Sequence, residues 1–175
     1  MLSDPMNLYK LMNLYMLRQV NYPLSNSQLT DFFLAHEYTT YFTLQQALSE
    51  LTEAGLIKAH SNYSMTRYEI TREGMETLDF FGSNISADIR EDMDRYLKDN
   101  QFKIRNEAGI LADYYLTSGN DYMVHLEIRE GKSPLLDLSL SVPDKQQAES
   151  ICSRWEKQSQ EVYSWLVKTL VTEAG

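Results

Sequence analysis

Apolar side chains recur at helical spacing from the start of the chain. Asp4 and Pro5 suit an N-cap and a first helical residue, and Leu8, Leu11, Met12 and Tyr15 follow on one face. Tyr9, Leu14, Met16 and Leu17 are apolar as well, which leaves a narrow polar stripe at Asn7, Lys10 and Asn13. A helix apolar nearly all round is buried on more than one side. After a turn at Asn21-Tyr22-Pro23, Ser25 and Gln28 make a capping-box pair for a short helix through Leu29, Phe32 and Phe33. A third helix follows Tyr38-Thr39-Thr40 with Leu44, Ala47, Leu48, Leu51 and Ala54 on one face, and Gly55 is placed as its C-cap, where a left-handed residue is needed. The pattern then alternates: residues 56–61 and 66–71 predict a hairpin around Asn62-Tyr63-Ser64-Met65. Thr71 caps a fourth helix through Met75, Leu78, Phe80 and Phe81. Ser83 or Ser86 starts a long charged helix to about Asn106, whose thin stripe of Ile85, Ile89, Met93, Tyr96, Leu97 and Ile104 suits a connector or a partner-helix surface better than a core.

From Gly109 the texture changes. Ala112, Tyr114 and Leu116, then Tyr122, Val124, Leu126 and Ile128, then Leu136, Leu138, Leu140 and Val142 alternate with polar residues, with turns at Ser118-Gly119-Asn120-Asp121 and Gly131-Lys132. Three strands with one apolar face each predict an antiparallel meander. Pro143 stops it, and Asp144 with Gln147 caps a last helix to about Leu170. Ala148, Ile151, Trp155, Val162, Leu166 and Leu170 are expected to cover the sheet. The expected class is α+β: a helical domain with a hairpin at 1–82, a helical connector at 83–106, and a β-β-β-α domain at 107–175.

Composition narrows the field. Of 175 residues, 43% are hydrophobic and 23% charged, with few Gly and Pro, which is globular rather than disordered. The single Cys152 excludes an internal disulfide and a cysteine-cluster zinc site. No apolar run is long enough for a membrane span. Met1-Leu2-Ser3-Asp4-Pro5 shows no basic segment followed by an apolar one, so a cytoplasmic chain is expected. The net charge is −9 and its distribution is uneven. Residues 1–72 carry five basic and six acidic groups, whereas 107–175 carry six and eleven. A free-standing nucleic-acid binder usually has a basic footprint.

Three helices followed by a hairpin is the order of a winged helix-turn-helix. Two local patterns carry a resemblance at 24–81: Leu48-x-x-Leu51-x-x-Ala54-Gly55-Leu56-Ile57, and Tyr68-x-Ile70-Thr71-x-x-Gly74-x-x-x-Leu78. On these the region resembles winged-helix regulators of the PadR and MarR type. Over its length the chain looks like an uncharacterised bacterial family, catalogued as a domain of unknown function, that joins a winged helix to a small C-terminal α+β domain. The resemblance implies a dimeric DNA-binding regulator of transcription with the third helix in the major groove.

On that reading the third helix offers Thr40, Tyr41, Thr43, Gln46 and Ser49 to the bases, together with Glu50. Gln pairs with adenine edges and Thr meets thymine methyls. Ser25, Asn26 and Ser27 open a helix, where backbone N–H groups suit a phosphate. The wing adds Lys58, His60, Asn62, Tyr63 and Arg67. The pattern departs from the PadR type in having no Lys or Arg between Arg18 and Lys58, so binding should be weak and salt-sensitive. Tyr9, Met12, Met16, Ile89, Met93 and Tyr96 are expected at a homodimer interface. An alternative is a winged helix used for protein–protein interaction without DNA; a third is an effector sensor in the C-terminal domain.

Other chemistry is sparse in the sequence. His36, His60 and His125 fall in separate elements with no metal-ligand spacing, and Cys152 lies on the apolar side of the last helix. No phosphate-binding Gly-rich loop or catalytic constellation is present. The expectation is a protein without cofactor, metal or enzymatic activity.

Overall fold

A computed structural model describes residues 4–171; the opening Met1-Leu2-Ser3 and residues 172–175 lie outside the described residues. The chain divides into two compact units, Met1–Arg105 and Asn106–Gly175. The first contains α1 (Pro5–Gln19), β1 (Leu24–Ser25), α2 (Asn26–Ala35), α3 (Tyr41–Glu53), β2 (Ile57–Ser61), β3 (Thr66–Ile70), α4 (Arg72–Phe81), a 3-10 turn at Gly82–Asn84 and α5 (Ala87–Asp99). Then α6 (Gln101–Gly109) spans the division.

Local chemistry sets these boundaries. The Asp4, Thr40, Thr71 and Ser86 side chains each accept from a backbone N–H of the following first turn, supplying donors that a helix start otherwise leaves orphaned. Ser25 and Gln28 close a reciprocal capping box on α2. Gly55 ends α3 with φ +74°, a conformation that costs other residues about 1–2 kcal/mol. Strand β1 is an element that the sequence pattern does not predict. It is two residues long and pairs with β3 through Leu24↔Tyr68 and Ser25↔Arg67, which gives a three-stranded sheet in the order β1-β3-β2.

At the centre of this unit is α1. Leu11 through Leu17 are all buried, and the helix packs against α3, α4, β3 and α5. Two expectations are corrected here. Asn13, placed in the polar stripe, has no exposed surface; its Nδ2 donates to the Tyr9 carbonyl at 2.8 Å, and its Oδ1 has no hydrogen-bond partner among the described residues. The helix from residue 83 is not a separate connector. Ile85, Met93 and Ile104 are buried in the same core as α1, with Ile89, Tyr96 and Leu97 packed against it.

That placement also removes the reason given for a dimer interface at Tyr9, Met12, Met16, Ile89, Met93 and Tyr96. Met12, Met16 and Met93 are 0% exposed within one chain, and Tyr9 packs edge-on to Phe33 with ring centroids 6.4 Å apart. The physical cause is that α5 supplies the second cover that α1 needs. Polar contacts tie it down: Tyr15 donates to Asp94 at 2.9 Å, Tyr38 to Asp92, and Tyr96 to the Gln28 carbonyl at 3.2 Å. Arg90 sits 5.7 Å from the Tyr15 ring centroid, within cation–π range. The long helix expected to run to residue 106 breaks at Asn100, whose side chain donates to the Tyr96 carbonyl and so competes with the helical backbone pattern.

The second unit is β4 (Ile110–Leu116), β5 (Tyr122–Glu130), β6 (Ser133–Val142) and α7 (Lys145–Leu170). The sheet is antiparallel in the order β4-β5-β6, with a register shift after Ile128. Residues of one parity, such as Ala112, Val124, Leu126 and Ile128, are buried. Helix α7 packs on β4, β5 and β6. Cys152 is buried as expected, beside Ala148 and Trp155 on the same helix, and burial pushes its thiol up to about 11. A helix of 26 residues is about 39 Å long, longer than any of the strands. The expected cover therefore fails at its far end, where Trp165 is 63% and Leu170 is 75% exposed.

Two outcomes follow from the first unit. A Cβ on Gly74 would stand 2.1 Å from the Leu56 carbonyl oxygen and 2.8 Å from Ile70 Cγ1. Gly74→Ala should lower stability by about 1–3 kcal/mol in chemical denaturation; wild-type stability would show that β2, β3 and α4 are not locked at this junction. Secondly, burial, followed by the bond to Asp92, raises the Tyr38 phenol from 10.0 to about 12. A raised folded value means that the protonated phenol favours folding below the unfolded value and loses that contribution as pH climbs to the folded one. Between these two values the wild type should lose stability more steeply than Tyr38→Phe, and parallel urea midpoints across that range would refute this.

Candidate functional site

The outer side of α3 is built by default. With Leu44, Ala47, Leu48 and Leu51 turned into the core, the helical period leaves Tyr41, Phe42, Gln46 and Ser49 exposed. Thr43 is half-buried, and its hydroxyl accepts from Thr40 at 3.0 Å while its backbone N–H donates to the same Thr40 oxygen. Thr40 therefore works as the helix cap. Phe42 is 83% exposed and meets Tyr41 edge-on at 5.9 Å. It was missed as a site residue, although its position off the Leu44-Leu48-Leu51 face was a readable signal.

The structure adds a cation that the interval count from Arg18 to Lys58 did not reveal. Lys10 Nζ of α1 lies 2.6 Å from Glu50 Oε2. The Glu50 carboxyl is held below the usual carboxylate range, first by the bond from Lys10 and then by that from Gln46. Gln46 Nε2 donates to Glu50 Oε1 at 3.2 Å. The glutamate thus occupies both a lysine and the best candidate base-reading amide.

The three residues at the start of α2 separate. Ser25 is buried and its hydroxyl serves the capping box. Asn26 forms a reciprocal amide pair with Gln45, at 2.7 and 3.0 Å, and donates to Tyr68 Oη at 3.3 Å. The Asn26 side chain fastens α2 to α3 and β3, the Ser25 hydroxyl stays within the cap of its own helix, and Ser27 is exposed. On the wing, Asn62 Oδ1 accepts from the backbone of Ser64 and Met65 and so shapes the turn. His60 lies 3.4 Å from Glu69, the residue directly across from Lys58. Arg67 and Tyr63 are half-buried, and Arg67 stands opposite His60.

The second sheet holds a cluster that the sequence reading did not assemble. On β5 the residues facing away from the buried side include His125, Glu127 and Arg129, and on β6 Asp137 lies directly across from Glu127. His125 Nε2 is 2.6 Å from Asp137 Oδ1 and 3.2 Å from Glu127 Oε1. One ligand atom from each of the three lies within 4.8 Å of the others. The sequence spacing shows none of this for His125: a spacing of two along one strand puts His125 and Glu127 on one face, and only the β5–β6 register adds Asp137. Trp155 Nε1 of α7 donates to the Glu127 carbonyl at 3.2 Å and braces this strand from behind.

No helix of the described residues is long and apolar enough to cross a membrane. A search of curated proteins and a search of solved structures found no match. A family model described as Domain of unknown function (DUF4364) matches residues 9–170, nearly the whole length over which both units are built, and the chain therefore belongs to that family.

Proposed function

We propose that the first unit is a winged helix-turn-helix and that the chain is a DNA-binding regulator working as a dimer. The observation that carries this reading is the order α1-β1-α2-α3-β2-β3 with the sheet arranged β1-β3-β2. In that arrangement α3 follows α2 as a recognition helix, and the β2–β3 turn is the wing. Gln46 and Thr43 read base edges, and Phe42 adds an apolar surface suited to a thymine methyl. Phosphate contacts come from Lys58 and Arg67 on the wing and from Lys10 beside α3, in a groove geometry typical of helix-turn-helix proteins. Few cations mean weak binding with a shallow salt slope. A second copy doubles the contact and sets half-sites about 34 Å apart.

One observation favours the second reading, a protein-interaction module without DNA. Phe42 and Tyr41 form an exposed aromatic pair, and aromatic anchors are typical of protein interfaces.

The discriminating experiment is a gel-shift assay of the full chain on genomic DNA fragments at low salt, repeated at higher salt. Glu50→Ala releases Lys10 and Gln46 and should strengthen binding at low salt. Arg67→Ala should flatten the salt slope by about one unit. Gln46→Ala should cost about 1–3 kcal/mol at a preferred site and little elsewhere. If all three leave DNA affinity unchanged, α3 and the wing do not meet DNA and the protein-interaction reading replaces this one. Light scattering should give twice the chain mass of 20.4 kDa; the monomer mass alone at micromolar concentration would remove the dimer.

A further inference from the structure

We propose that the second unit binds one divalent transition-metal ion of the zinc class through His125 Nε2 and the carboxylates of Glu127 and Asp137. The inference is independent of the DNA reading, because it rests on a different unit and on different side chains.

The donor set suits such an ion. Imidazole nitrogen and carboxylate oxygen are ligands for zinc and its neighbours in the first transition row, whereas calcium and magnesium prefer oxygen alone. Ligands about 2.0–2.2 Å from a zinc ion lie roughly 3 Å from one another. The imidazole nitrogen already stands 2.6 Å and 3.2 Å from the two carboxylate oxygens, and all three donors lie within 4.8 Å of one another, so convergence on one ion needs side-chain rotation without movement of the strands. The charge balance points the same way. A single ring nitrogen faces two carboxylates, and the one proton it can carry serves two anionic acceptors. A dication in place of that proton satisfies both, with the imidazole neutral.

The surroundings hold the ligands in place. Glu127 and Asp137 are cross-strand neighbours in the β5–β6 ladder, and His125 is two residues from Glu127 on the central strand. The register, rather than a loop, thus sets their spacing. Arg129 Nε lies 3.7 Å from Glu127 Oε2. It takes one oxygen of that carboxylate while Oε1 faces the imidazole, an outer-shell partner of the kind that orients metal ligands. The cluster is partly exposed, with His125 at 39% and Asp137 at 58% side-chain exposure, so water can complete the coordination sphere. Residues 107–175 carry six basic and eleven acidic groups, which further favours a cation.

The test is calorimetric titration of the chelator-stripped full chain with zinc chloride near neutral pH. The expected result is one saturable site per chain. His125→Gln and Asp137→Asn should each weaken it by roughly tenfold or more. His60→Gln, which alters the wing histidine paired with Glu69, should leave it unchanged. Circular dichroism accompanies each titration to separate loss of the site from loss of the fold, and imidazole nitrogen spectra of the unaltered protein give a second readout. Zinc should move the His125 signals and leave those of His36 and His60 in place. Absence of saturable uptake, uptake that survives both substitutions with the fold intact, or zinc-dependent shifts at another histidine instead of His125 would each overturn the proposal.

Discussion

The first unit depends on enclosing α1. Seven consecutive residues of this helix, Leu11 to Leu17, are buried, and a single small layer of helices cannot cover every side of a cylinder. One side meets α3, α4 and β3, and α5 closes another. Met93 of α5 is as deeply buried as Met12 and Met16, and Ile85 just before α5 is buried in the same core. The polar contacts of Tyr15, Tyr38 and Tyr96 then lie at the rim of this packing, where each phenol keeps its apolar body in the core and its hydroxyl on a polar partner. An apolar helix that looked like a demand for a second chain is satisfied inside one.

The same helix affects the proposed recognition surface. Because α1 packs on α3, Lys10 reaches Glu50, and Glu50 in turn holds Gln46. Electrostatics at this side of α3 are therefore a property of two helices together. While the pair is made Glu50 holds both the cation and the amide, and the two become available together when the carboxylate is removed. Asn26 shows the converse: a polar side chain at the start of α2 is committed to joining α2 to α3 and β3, while the neighbouring Ser25 closes the cap of α2 itself.

The second unit separates two kinds of surface by strand alternation alone. One face is apolar and carries α7; the other gathers His125, Glu127, Arg129 and Asp137. Trp155 joins the two, since its ring is buried against the sheet while its N–H bonds the carbonyl of Glu127. Cys152, packed on the same side of α7, has its thiol raised by burial and is chemically quiet.

Local rules written in the sequence were enough for most elements. The caps at Ser25, Thr71 and Asp144, the left-handed Gly55, and the alternation in 110–142 each act over a few residues, so each was legible without the fold. Membership of an uncharacterised family, catalogued as a domain of unknown function, was also expected from the sequence, and the family match over 9–170 agrees with that much. What the chain could not show by itself involves partners far apart along it. The two-residue strand β1 exists only because β3 lies beside it. Asn13 looked solvated because its burial is decided by helices many residues away, and residues 85–104 looked like a connector because a thin apolar stripe does not name the surface that it covers. The Lys10–Glu50 pair and the meeting of His125 with Asp137 are of the same kind. Periodicity specifies which face a side chain occupies, whereas packing and strand register decide what stands opposite it, and the chemistry of both candidate sites lies in that second choice.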